Sequence, residues 1–100
     1  MDITDLTNIV SILSPIGIRY IVGEKDDALY LERFERETGT NIPFDDGYPA
    51  GGPDEDKDRK QITVLGNWPG VALLDEDIVV DSVNGGTFIS YDGGENWEEV

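Results

Sequence analysis

Three carboxylates stand at alternate positions in Asp54-Glu55-Asp56-Lys57-Asp58. Acids at positions 1, 3 and 5 open a twelve-residue calcium loop, but such a loop also needs Gly at position 6 and a bidentate Glu at position 12. Here those places hold Arg59 and Leu65. A solvated charge run is the reading favoured, with weak divalent binding as its alternative and no metal site assigned. Paired carboxylates could also run glycoside chemistry. With 22 acids in the chain, some pair always falls at a suitable separation, so the pattern selects nothing. Histidine and cysteine are absent. The commonest general base, the thiolate nucleophile, the disulfide and the usual zinc ligands are therefore missing. The expectation is a protein that is not an enzyme and uses no cofactor.

What the residues offer instead is charge. The 100-residue chain carries 7 basic and 22 acidic residues, a formal net charge of -15. Residues 61–100 hold eight of the acids and no base. A field of that sign repels nucleic-acid backbone and anionic membrane and attracts a cationic surface. Carboxylates two residues apart on one face of a strand lie roughly 6.6 Å apart. That is comparable to successive phosphates of a nucleic-acid strand. Asp75, Asp77 and Asp81, with Glu95, Glu98 and Glu99 from the neighbouring hairpin, could form such a row. In the loop, Asp54, Glu55, Asp56 and Asp58 could likewise face Arg or Lys of a partner. Trp68, beside the Pro69-Gly70 turn, is the candidate apolar anchor, because Trp is enriched among residues that dominate binding energy.

The size fits one small domain, and 38% hydrophobic residues are enough for a modest core. No apolar run approaches the roughly 18 residues of a spanning helix. The acidic start, Met1-Asp2-Ile3-Thr4-Asp5, does not read as a targeting segment, which points to the cytoplasm.

The elements that must position these groups are read from periodicity. Ile3, Leu6, Ile9, Val10 and Leu13 recur at three- and four-residue steps, which predicts a helix over about 4–14 ended by Pro15 and Gly17. Residues 16–22 predict a central strand. Residues 28–38 predict a second helix, with Glu32/Arg36 and Arg33/Glu37 paired at i,i+4 and Gly39 closing it. A hairpin strand over 29–34 is the alternative. Residues 40–60, rich in Pro, Gly and acid, predict one long flexible loop. Strands follow over 61–65, 71–74, 78–83, 87–91 and 97–100, with Asn84-Gly85-Gly86 as a hairpin turn. The expected class is α+β: two N-terminal helices on one face of a small, mostly antiparallel sheet, in a single domain.

Ser90-Tyr91-Asp92-Gly93-Gly94-Glu95-Asn96-Trp97 fits S-x-D-x-G-x-x-W. With its flanks, residues 78–100, it resembles the Asp-box hairpin of bacterial neuraminidase repeats. The resemblance implies a structural turn locked by Ser90, Asp92, Gly94 and Trp97, away from any catalytic site. A propeller needs several blades of about 40 residues, and one copy is present, so neither a propeller nor a sialidase is implied. Single boxes also occur in small microbial ribonucleases, which rely on histidine and basic residues that residues 61–100 lack. The functional expectation is a small acidic inhibitor occupying a basic, nucleic-acid-binding surface of a partner protein. Immunity, anti-restriction and anti-CRISPR proteins are the natural class, with nucleic-acid mimicry as a mode. It would bind neither nucleic acid nor membrane directly. The alternative is a non-catalytic structural or accessory protein, for example phage-encoded, whose acidity serves solubility or halophilic adaptation.

Overall fold

The structure, a computed structural model, describes residues 5–26, 28–48, 52–63, 69–74, 77–82 and 86–100. Among them there is no helix. Eight strands form two antiparallel sheets. The first sheet runs in chain order through β1 (Thr7–Leu13), β2 (Ile18–Lys25), β3 (Ala28–Glu35) and β4 (Lys60–Thr63). The second runs through β5 (Pro69–Leu74), β6 (Asp77–Ser82), β7 (Gly86–Ser90) and β8 (Glu98–Glu99).

The two expected helices are therefore corrected to strands, and the class from α+β to all-β. In residues 4–14 the helical spacing is coincidental: Val10 and Ile12 lean inward while Ile9, Ser11 and Leu13 face out, a period of two. The Pro15-Gly17 signal is not a helix stop but a strand reversal. Ser14 N–H donates to Ile18 O at 2.8 Å, Gly17 N–H donates to Ser14 O at 3.1 Å, and Gly17 takes a φ of 85°. β-branched Ile9, Val10 and Ile12 favour the extended form once that reversal supplies a partner.

The second correction has a different cause. Residues 28–35 pair along their whole length with β2, from Lys25↔Ala28 to Ile18↔Glu35. The strand is covered on both faces, so it lacks the alternation of a half-exposed strand and reads as neither period. Glu32 and Arg33 point to opposite faces, and their ionic partners lie 27 and 62 residues away instead of four. Gly39 does adopt a left-handed φ of 71°, but in the turn after β3, where its N–H donates to Glu35 O.

The core lies between the sheets. Tyr20, Val22, Leu29 and Leu31 of the first sheet meet Ile78 and Val80 of the second, with Phe44 inserted from the long loop. Fully burying such a side chain contributes about 1.5–3 kcal/mol. A smaller cluster of Leu6, Ala28, Tyr30 and Tyr48 covers the opposite face of the first sheet.

Candidate partner-binding surface

The turn at residues 90–97 is closed by its own side chains. Ser90 Oγ lies 2.8 Å from Asp92 Oδ1 and accepts from Gly94 N–H at 2.8 Å. Asp92 accepts from Asn96 N–H and from Asn96 Nδ2, at 2.9 and 2.7 Å. Gly94 sits at a φ of 98°, and a Cβ there would collide with Leu31 Cδ2. Trp97 Nε1 donates to Gly94 O at 2.9 Å. Burial pushes the Asp92 carboxyl up, but the Asn96 and Ser90 donors outweigh it and hold the group below the ordinary carboxylate value. Ser90 is fully buried. Ser90→Ala leaves the Gly94 N–H without an acceptor, so a loss of about 1–3 kcal/mol is expected in urea unfolding. An unchanged midpoint would contradict this account of the turn.

Arg33, expected to pair with Glu37 along a helix, instead anchors that turn. Arg33 Nη1 donates to Gly93 O at 2.8 Å, Nη2 donates to Pro43 O at 2.8 Å and to Glu95 Oε2 at 2.9 Å, and Nε donates to Ile42 O at 3.3 Å. The guanidinium also stacks 4.0 Å from the Phe44 ring centre. The acid-only stretch 61–100 is thereby given one cation, and Glu95 is withdrawn from the expected carboxylate row.

The opposite face of β3 carries a second unforeseen cluster. Glu32 is 0% exposed and Arg59 4%. Arg59 forks onto Asp5 at 2.8 and 2.9 Å and reaches Glu32 Oε2 at 2.9 Å. The Arg59 hydrogen bonds hold the Asp5 carboxyl far below the usual carboxylate range, with Lys25 assisting at 3.3 Å. Burial pushes Glu32 the other way, above its ordinary value, and the Arg59 bond only partly offsets it. The sequence signal for both clusters is a charged pair inside an otherwise apolar strand, Ala28-Leu29-Tyr30-Leu31-Glu32-Arg33-Phe34.

The loop acids fall into two kinds. Glu55 Oε1 accepts from Gly47 N–H at 2.7 Å and from Lys57 Nζ at 3.2 Å. Asp56 Oδ1 accepts from Asp58 N–H, and the Asp56 backbone bridges Tyr48 in both directions. Both carboxylates hold the loop's own ribbon. Asp54 is exposed, and Asp58 half-buried. Tyr48 packs edge-on against Tyr30, ring centres 4.7 Å apart, so this part of the loop lies over the outer face of the first sheet. Among the described residues no group of three or more acids is placed to hold a metal ion.

In the second sheet, Ile78 and Val80 point into the core, so Asp77, Val79 and Asp81 share the outer face. Cross-strand register adds Thr87 opposite Asp81, Ile89 opposite Val79, and Glu98 opposite Ile89. Thr87 Oγ1 donates to Asp81 Oδ1 at 2.6 Å. Glu99 is in register with Phe88, on the other face. The structure therefore brings Asp77, Asp81 and Glu98 together and separates them from Asp54, Glu55, Asp56 and Asp58. Trp68 and Asp75 lie outside the described residues. Among the described residues no helix is long and apolar enough to cross a membrane, which says nothing about strands. Comparison with protein-family models, curated proteins and solved structures finds no match to this chain.

Proposed function

We propose that the outer face of the second sheet docks a basic protein surface, and that the protein is a non-catalytic cytoplasmic inhibitor of a nucleic-acid-handling partner. This is the immunity, anti-restriction or anti-CRISPR mode of action. One observation carries the reading. The ion pairs of Lys25, Arg33, Lys57 and Arg59 go to Asp5, Glu32, Glu55 and Glu95. Asp77, Asp81 and Glu98 share a face and make no ion pair among the described residues. Such a face steers a cationic partner and speeds its encounter. On the same reading, residues 90–97 are a structural Asp-box that holds β7 and β8 in register.

The test is affinity capture with a panel of purified basic nucleic-acid-binding proteins and a neutral control. It is run at low salt and at about 0.5 M, where the Debye length falls to roughly 4 Å. Retention at low salt that the triple variant Asp77→Lys, Asp81→Lys, Glu98→Lys abolishes supports the proposal. No retention of any basic protein, or retention indifferent to those three charges, overturns it and leaves the structural or accessory reading.

A further inference from the structure

We propose that a second copy of this chain docks its acidic outer sheet face onto the open half of the first sheet's outer face. The first sheet's outer face is divided. Leu6, Tyr48 and the Arg59 cluster cover one half. On the other half Leu13, Arg19 and Phe34 are direct cross-strand neighbours, forming a row across β1, β2 and β3. Ile9 and Leu13 are 44% and 39% exposed, and Ile16, in the adjoining turn, is 56% exposed. Among the described residues, three of the five exposed large hydrophobic side chains thus fall in one segment. Arg19 Nη1 donates to Ser11 Oγ at 3.0 Å, which lays the guanidinium along this face. Arg36 N–H donates to Gly17 O, which places the second arginine beside the Ile16 turn. Glu35, by strand alternation, points to the opposite face from Phe34. Neither Arg19 nor Arg36 makes an ion pair among the described residues.

The second sheet's outer face has the converse pattern. Val79 and Ile89 form an apolar centre, half-buried, with Asp77, Asp81 and Glu98 around it. The two faces are complementary in charge, and each sets apolar side chains beside its charged ones: Leu13 and Phe34 flank Arg19 on the first, and Val79 and Ile89 lie among the acids on the second. They cannot meet within one molecule, because the shared core lies between them. Between molecules they can meet head to tail, a heterologous contact that closes into a ring or extends as a filament. The general repulsion between two acidic bodies is screened beyond about 8 Å at physiological salt, whereas contacting groups are screened much less.

The test is sedimentation of the whole chain over a wide concentration range at about 0.15 M salt. One variant carries Arg19→Glu and Arg36→Glu; the other carries Asp81→Lys and Glu98→Lys. The wild type is expected to gain mass with concentration, and each variant alone to associate at least about tenfold more weakly. Mixing the two variants is expected to restore association, because each reversed face then meets a reversed complement. Circular dichroism of each variant establishes that it is folded. A wild type that stays monomeric throughout overturns the proposal. So does a symmetric dimer indifferent to Asp81 and Glu98. The foreign-partner reading stands or falls separately, since it is read from capture of basic nucleic-acid-binding proteins and not from self-association.

Discussion

Arg33→Ala is expected to be among the most damaging single substitutions in the molecule. The side chain gives four hydrogen bonds to three separate segments: residues 42–43, Gly93, and the carboxylate of Glu95. Its charge is nearly enclosed, and Phe44 stacks on it. Alanine leaves three carbonyls and a carboxylate without their donor. Removing one partner of a buried pair costs about 3–5 kcal/mol. Against a total of about 5–15 kcal/mol for a domain, that is a large share. Urea unfolding followed by tryptophan fluorescence checks it, since Trp97 leans on the turn that Arg33 holds. Arg33→Lys separates charge from geometry. An ammonium keeps the charge but cannot reproduce the planar fork, so it should recover less than half of the loss. A shift in Arg33→Ala below about 1 kcal/mol, the value of one ordinary hydrogen bond, would refute the anchor.

Arg59→Ala is expected to cost a similar amount, about 3–5 kcal/mol, by stranding Glu32 in the interior. It has a distinguishing dependence on pH. In the wild type the Asp5 carboxyl is held below its ordinary value of 3.8, so it contributes stability above that pH that is lost on acidification. Removing Arg59 removes the main cause of that depression. Glu32 is already raised above its ordinary 4.5 by burial, and without Arg59 nothing in the cluster offsets the burial. The folded variant then binds a proton that the unfolded chain has released, so its stability rises as pH falls toward the unfolded value. Glu32 is raised in the wild type as well, so both proteins gain stability as pH falls from 7 toward about 4.5, the variant more because Arg59 no longer offsets the burial; below about pH 4 the wild type then loses the Asp5 contribution, which the variant largely lacks. Adding Glu32→Gln to Arg59→Ala should restore part of the loss at neutral pH. Parallel pH profiles for the wild type and the single variant would show that Glu32 is not the stranded charge.

These two arginines also mark how far the sequence is legible. The strands of the second sheet were readable because short apolar, β-branched runs are set off in the sequence by Gly, Asn and acidic breaks. The bonds of the turn at residues 90–97 run between residues two to four apart, so they are local in the sequence. The first sheet was not readable in this way. β1 carries apolar residues on both faces, which imitates a helical stripe. β3 is enclosed on both sides, and its Glu32-Arg33 pair imitates helical spacing while serving partners in other segments. The same limit applies to the candidate surface. Asp77 and Asp81 follow from strand alternation alone. Glu55 and Asp56 looked equally available, and their carboxylates turn out to fasten the loop to itself.

The Arg33 fork closes bonds to residues 60 and 62 positions further along the chain. Chains dominated by such distant pairings pay loop-closure entropy before any contact rewards them, and typically fold in milliseconds to seconds. A growing chain exposes β3 well before the residues that cap its arginine have been synthesised. Until then the guanidinium has only its Ile42, Pro43 and Phe44 contacts, and Leu31 lacks the Gly94 turn that closes over it. The two sheets are thus expected to appear in one concerted step, with no lasting half-folded species that carries a finished first sheet alone.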